Sequence, residues 1–448
     1  MSQSSLDLTQ GLLEAAKRAG ADAADAIAVK GTALSIDVHD GKLEQAERAE
    51  GSDIGLRVFV GQRSAIVSAS DTRPETMTAM AERAVAMAQE APEDPYAGLA
   101  EPEQVITSWD IAALELSDPA YEPEPAALEE DARRAEASAL AVEGIGQVQS
   151  ASAGYSAQEI ALSASNGFSG GYERTSRSLS CVAIAGTGLG MERDYDGDSR
   201  TFQSELRSAE EIGRNAATRA MERLDPQRPK TGAYPVLFDE RISSSLVGHL
   251  MAAVSGSAVA RGASWLREAL GDQVLPKGMH LIENPHRPRM GASRPFDAEG
   301  LATQRRAIID DGTLTGWTLD LANARKLGMV STANAARSVT GGVSPAVWNL
   351  ELTQGTKSPA ELMAEMGTGL LVTSMIGATI NPNTGDYSRG AAGFWIENGA
   401  PVYPVAGVTI AGNLRDMLGG MIASNDARPW LSRVVPSLMV EGMTLAGE

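Results

Sequence analysis

The chain has a single cysteine, Cys181, and only four histidines in 448 residues, and each scarcity removes a class of function. One thiol cannot build an internal disulfide framework, which fits a reducing compartment. The four imidazoles, His39, His249, His280 and His286, form no HExxH and no pair at i, i+4, so a zinc hydrolase's ligand set is not visible. Positive charge is also short. With 38 Lys and Arg against 58 Asp and Glu, the formal charge is -20, which repels phosphate backbones and argues against a nucleic-acid partner. The most apolar stretches, 246–259 and 367–380, are broken by Ser, Thr, Gly and His and fall short of about 18 unbroken apolar residues. No membrane span is expected. The opening MSQSSLDLTQGLL has no basic region leading into an apolar one, so no secretory signal is read and a cytoplasmic protein is expected.

Nucleophile motifs are missing too: there is no GxSxG elbow and no SxxK. Cys181 lies in an expected strand without a neighbouring His, which reads as a buried structural thiol. The glycine cluster Gly186-Thr187-Gly188-Leu189-Gly190 lacks the Lys and Ser/Thr of a phosphate loop and reads as a turn. His280 and His286 flank Glu283 in MHLIENPHRP, which we read as a strand end and turn.

What is present is periodicity. Leu8, Leu12, Leu13 and Ala16 mark one face of a helix over 5–19. Leu34, Ile36 and Val38 alternate into Asp40-Gly41, a hairpin turn signal, and Ile54, Leu56 and Val58 continue the alternation. A helix follows over 74–91, with Pro74 in its first turn and Met77, Met80, Ala84, Met87 and Ala88 along a stripe. Adding 126 to a position carries Gly20 to Gly146, Asp40-Gly41 to Asn166-Gly167, Glu47-Arg48 to Glu173-Arg174, and Leu34, Ile36, Leu56 and Val58 to Ile160, Leu162, Val182 and Ile184. This predicts an internal duplication, with a closing helix over 209–224 after a Gly- and Asp-rich insert. Residues 101–150, with twelve Asp or Glu against Arg133 and Arg134, read as a solvated linker and helix face.

The Pro-punctuated Asp225-Pro226-Gln227-Arg228-Pro229 is the expected domain boundary. Beyond it come an apolar strand over 234–238, a helix over 240–260, and Gly-rich turn signals at Asp311-Gly312 and Asn398-Gly399. The expected fold is α+β: a duplicated helix/β-meander domain over 1–225, then a mostly β domain with covering helices over 226–448.

Several strings resemble the PmbA/TldE side of the TldD/PmbA peptidase family, whose older label is modulator of DNA gyrase: LGMVSTANAARS (327–338), NPNTGDYSRGAAGFWIENGAPVYPV (381–405), GVTIAGNLRDML (407–418) and, more loosely, GSDIGLRVFVGQRSA (51–65) and EDPYAGLA (93–100). In that family one subunit type carries HExxxH on a helix and the other lacks it. HEAVGH lays on Ser244-Ser245-Leu246-Val247-Gly248-His249, so only the final Gly-His is kept. The resemblance implies no catalytic and no metal-ligating residue in this chain, His249 being a lone remnant. It implies zinc in a TldD-like HExxxH partner and unfolded peptides as substrate, with a homodimer as the state of the chain on its own. Asn334, Arg337, Asn381, Asn383 and Arg389 are the peptide-binding candidates, because their side chains suit carbonyls and carboxylates. A regulatory adaptor without substrate contact, and a homodimer with an unrecognised hydrolase site, stay open at this point.

Overall fold

The computed structural model describes residues 4–120 and 122–448. Helix α1 (Ser5–Arg18) starts at a capping box in which Ser4 and Asp7 exchange side-chain and backbone bonds. Leu8, Leu12, Ala15 and Ala16 are buried on one face; Leu13 is half-buried. Then come β1 (Ala23–His39), β2 (Lys42–Val60), β3 (Arg63–Ala69) and α2 (Pro74–Glu90). Met77, Met80, Ala84 and Ala88 face inward, but Met87 is 48% exposed, because it falls between turns of the buried stripe.

The same order returns as α3 (Pro125–Leu140), β4 (Ile145–Ala164), β5 (Ser169–Ala185), β6 (Glu192–Arg200) and α4 (Ala209–Glu222). The expected Gly- and Asp-rich insert is a strand: Glu192–Arg200 is β6, the counterpart of β3. All six strands form one sheet in the order β3-β2-β1-β4-β5-β6. At its centre Gly31 pairs with Gln158 and Thr32 with Ala157. The offset of 126 maps Gly31 to Ala157 and Thr32 to Gln158, so a local two-fold axis passes between these pairs. The duplication is borne out, with a difference in register. Leu34 pairs with Arg48, whereas its equivalent Ile160 pairs with Tyr172, two residues short of Arg174. The first ladder carries a bulge at Asp37/Val38, beside its turn, whereas the second runs unshifted from its turn to Ser150 and bulges only near Val148 and Ile145. Helices α1 and α2 cover one half of the sheet's helical face and α3 and α4 the other, giving two apolar cores.

After Asp225–Pro229, β7 (Gly232–Phe238) leads into α5 (Glu240–Ala253). The expected helix to residue 260 breaks at Val254. Gly256 donates its N–H to Thr318 O, and a Cβ there would meet Leu319 Cδ2 at 2.5 Å, so the crossing chain requires glycine and ends the helix. A short α6 (Gly256–Ala260) follows. Then come β8 (Leu281–Glu283), β9 (Arg306–Asp310), β10 (Thr313–Leu314), α7 (Leu321–Leu327), β11 (Ala335–Ala336), β12 (Ser344–Pro345) and β13 (Leu350–Leu352). The rest is α8 (Pro359–Met366), β14 (Gly369–Ile380), β15 (Asp386–Glu397), β16 (Ala400–Asn413), α9 (Leu414–Gly419), β17 (Ile422–Ala423), β18 (Arg433–Val434) and β19 (Leu438–Ala446). A second sheet runs β16-β15-β14-β7-β19-β17, and an added β16–β19 pairing closes it into a barrel. The β9–β10 and β15–β16 turns hold Asp311-Gly312 and Asn398-Gly399 with positive φ at both residues, as type I′ hairpins require. Leu246, Val247 and Leu250 of α5 pack into the barrel core.

Candidate functional site

Helix α5 begins at Asp239, whose carboxylate accepts the Arg241 N–H at 3.0 Å. Its apolar face is committed to the core, which leaves Ser245 and His249, one turn apart, on a neighbouring flank. Both Ser245 Oγ and His249 Nε2 are buried without a hydrogen-bond partner among the described residues. The His249 ring meets Tyr387 of β15 edge-on, at 5.8 Å between centroids. Tyr387 in turn donates its hydroxyl to Met375 Sδ at 3.3 Å. Burial pushes the Tyr387 phenol up to about 12. Burial, and then the nearby Arg389, hold the His249 imidazole below its usual range, so it is neutral at pH 7.

This set does not fit a catalytic zinc. Such a site takes three protein ligands and an open position; here one imidazole stands among hydroxyls, a thioether and a guanidinium whose charge disfavours a dication. Among the described residues no three His, Cys, Asp or Glu side chains come together to hold a metal. The MHLIENPHRP loop does not converge either. His280 Nδ1 meets Asp310 at 2.8 Å, and His286 Nε2 meets Thr303 at 3.0 Å. Glu283 points into the core, to Arg306 and Asn334. Cys181 is fully buried, and burial pushes its thiol up to about 12, so it is inert as a nucleophile at neutral pH.

Beside the barrel lies a cavity of about 740 Å³, walled by β14 (Thr373–Ile376), β15 (Gly390–Ala392) and β16 on one side and by Arg193, Asp194, Tyr195 and Arg223 on the other. On its far side from β15, β14 pairs with β7 only at Leu370–Val372. From Thr373 onward that edge has no strand beside it among the described residues.

The five peptide-binding candidates do not gather in one place. Asn381 and Asn383 close the β14–β15 turn, where the Asn381 side chain accepts the Asn383 N–H at 3.0 Å. Arg389 donates to Gly377 O at 2.7 Å across that hairpin. Asn334 is fully buried and donates to Glu283 and to Ala346 O, at 2.8 Å each, while Arg306 and Thr332 donate to its Oδ1. The Arg337 side chain is 1% exposed and pairs with Asp25 of β1. Asp25 also takes Arg57 of β2 at 2.5 Å. Burial alone would raise the Asp25 carboxyl, and the two guanidinia outweigh it, holding it below the usual carboxylate range.

Two charged clusters escaped the sequence reasoning. On β6, Asp194 reaches Arg223 and Arg241, Asp196 reaches Arg207 and Arg219, and Asp198 reaches Arg200 and Arg207. The alternation of DYDGD was the available signal, a period of two with charge in place of apolar side chains. Near Arg57, Asp297 and Glu299 are buried together; burial, and mutual repulsion with neighbouring carboxylates, raises both into the neutral range. Asp297 accepts the N–H groups of Glu299, Leu301 and Ala335, and Glu299 accepts that of Leu321.

Comparison with known proteins gives concordant matches. The family profile described as PmbA/TldA metallopeptidase C-terminal domain matches 231–447, that of domain 1 matches 24–88, and that of the central domain matches 118–224. The Escherichia coli metalloprotease PmbA is 35% identical over 95% of this chain and 93% of its own length. A Haemophilus influenzae PmbA homologue is 36% identical over 97% of this chain and 94% of its own. Among solved structures, a Bacteroides thetaiotaomicron protein described as a modulator of DNA gyrase superposes with a TM-score of 0.90 at 28% identity, covering 98% of both chains. TldE from Thermococcus kodakarensis, at 21% identity, shares the fold with a TM-score of 0.86 and covers 98% of this chain and 100% of its own.

Proposed function

Because the chain belongs to the PmbA/TldD metallopeptidase family, we propose that it serves as the metal-free subunit of a two-component peptidase, in which a HExxxH-bearing subunit holds the zinc and the general base. The observation that carries this reading is the donor set on α5: Ser244, Ser245 and one neutral His249 beside Arg389, its Nε2 without a hydrogen-bond partner among the described residues. Peptide hydrolysis needs an activated nucleophile and preorganised charge, and neither stands here. The chain's contribution is a wall. The open edge of β14 borders the 740 Å³ cavity, and an extended peptide adds to such an edge through backbone hydrogen bonds, with little regard for sequence. This suits unfolded substrates of varied sequence, in the cytoplasm.

The test is purification of the chain alone and with a HExxxH-bearing homologue, each followed by zinc content and cleavage of unfolded peptides. The expected result is no stoichiometric zinc and no cleavage alone, with both appearing in the complex. Thr373→Pro on the open edge raises KM in the complex while leaving its zinc content unchanged. Stoichiometric zinc in the lone chain that is lost on His249→Ala, or cleavage by the lone chain that is lost on Ser245→Ala, would overturn the assignment.

A further inference from the structure

The face of β4–β5–β6 that turns away from α3 and α4 carries small side chains between two cavities. Along β5 that face presents Val182, Ser180, Ser178, Ser176 and Arg174, since successive residues of a strand alternate in direction. Their register partners are Tyr195, Gly197 and Ser199 of β6, and Ser152, Gly154 and Ser156 of β4. Val182 and Tyr195 line the 740 Å³ cavity beside β14. Arg174, Ser176, Ser156 and Ser199 line a second cavity, of about 380 Å³, at the other end of the face. From Val182 to Arg174 is about eight residues, roughly 26 Å of strand, and nothing larger than serine stands on this face in between.

The second cavity holds an unbalanced charge. Its wall contains Arg174, Arg200 and Arg289 against one carboxylate, Glu205. Arg200 pairs with Asp198, and Arg289 with Glu115 and Glu205. Arg174 has no carboxylate partner among the described residues: its Nη groups donate to the Gly291 and Ser293 carbonyls, and its Nε is buried with no hydrogen-bond partner among those residues. Arg294 donates to the same two carbonyls, at 3.2 and 2.8 Å, so two like charges converge on one turn. Burial, and then Arg294, push the Arg174 guanidinium down to about 10. Holding that turn against the sheet requires only neutral donors, whereas a buried guanidinium without an anion is costly.

We propose that the 380 Å³ cavity takes a carboxylate of a peptide chain that lies along this face of β4–β5–β6, with Arg174 as the group that binds it. The charge deficit selects the ligand. One guanidinium of the three in the wall lacks a counter-ion; a single carboxylate balances it, and a phosphate dianion would overshoot beside Glu205. The Arg174 N–H groups not engaged by the two carbonyls remain to donate, and the Ser156, Ser176 and Ser199 hydroxyls stand around them. A chain that reaches from the cavity beside β14 to Arg174 is extended over at least about eight residues, so short or folded substrates miss this contact.

This inference rests on the reading of the chain as a peptide-holding wall, and its test reads binding, with no cleavage involved. A labelled, unstructured peptide of about twelve residues without acidic side chains is titrated with the full chain in three forms: free acid, C-terminal amide, and amide ending in glutamate. A carboxylate-bearing form is expected to bind about tenfold or more tighter than the plain amide, and which form does so identifies the source, chain terminus or side chain. Arg174→Gln keeps donors for Gly291 and Ser293, removes the charge and erases the preference. Ser176→Asp leaves that turn untouched, sets a carboxylate in the cavity wall and erases it too. A chain that binds none of the three forms overturns the peptide reading and this inference together. Equal binding of all three, a preference that survives both substitutions, or displacement of the acid peptide by inorganic phosphate at lower concentration than by acetate overturns this inference alone.

Discussion

The two halves of the N-terminal sheet share a topology and differ in what fills it. In the first repeat α2 sits on the sheet through Met77, Met80, Ala84 and Val85, against Ile54, Leu56, Val58 and Val67. In the second, α4 keeps an alanine stripe against β5, while Arg219 on α4 and the flanking Arg207 and Arg223 answer Asp196, Asp198 and Asp194 of β6. The same strand order therefore tolerates an oily seam or an ionic one. The ionic seam is where the sheet turns toward the barrel, since Arg241 at the start of α5 shares Asp194 with Arg223. A buried ion pair adds little net stability compared with apolar packing, but it demands all of its members. The second repeat has exchanged tolerance for a fixed geometry beside the cavity.

The sharpest way to break this comparison is to remove the central carboxylate. Asp196 takes Arg207 at 2.8 Å and Arg219 at 3.1 Å, and Asn215 at 3.0 Å. Burial alone would raise its carboxyl, but these partners hold it below the usual range. Asp196→Ala leaves guanidinia facing one another, and a loss of about 3–5 kcal/mol is expected, measured by urea unfolding at two salt concentrations. A loss under about 1 kcal/mol would show that the seam is incidental. The matching change in the oily seam, Met80→Ala, leaves a cavity and costs about 2–4 kcal/mol without salt dependence.

The oily seam was legible in the sequence and the ionic one was not, for a physical reason. Apolar periodicity reports burial only where burial is apolar. Leu34, Ile36, Leu56 and Val58, with their counterparts 126 residues on, revealed both hairpins and hence the duplication. The strand Glu192–Arg200 passed for an insert because its inward residues are aspartates. The same limit hid Asn334 and Arg337 as members of buried networks: their side chains look adapted to a peptide, and here they spend their bonds on Glu283 and Asp25. The resemblance laid HExxxH on Ser244–His249, and that stretch lies on helix α5. Its neighbours Tyr387 and Arg389 come from a strand more than a hundred residues away, a proximity only the closed barrel creates.

A third seam, between sheet and barrel, extends the comparison to pH. Asp297 is raised by burial and by Asp320, and Glu299 by burial and by Asp297, so the folded chain holds protons that the unfolded chain has released. The pair's contribution to stability is fully present below the ordinary carboxylate range and is lost as pH climbs through neutrality to the raised folded values. The expected loss between pH 5 and 9 is about 2–3 kcal/mol, from thermal unfolding at closely spaced pH. Glu299→Gln, which keeps an acceptor for the Leu321 N–H, flattens that slope. Stability that rises through this range in the wild-type chain would reject the assignment.

The smallest expected difference lies in the two hairpin turns that the duplication equates. In the first, Asp40 and Gly41 both have positive φ, 50° and 67°, within the left-handed well that a two-residue type I′ turn uses. In the second only Gly167 does, at 102°, beyond that well, because the β4–β5 ladder is displaced by two residues relative to the first. A Cβ at either glycine meets nothing within 4 Å, so alanine there reports backbone conformation without steric interference. Gly41→Ala moves a residue into a well that L-amino acids can occupy, for about 1 kcal/mol. Gly167→Ala must either strain φ or reshape the turn, nearer to about 2 kcal/mol. The difference, read as paired unfolding midpoints, tests whether the register shift is built into the second turn. Equal costs would show that the displaced register puts no conformational demand on Gly167.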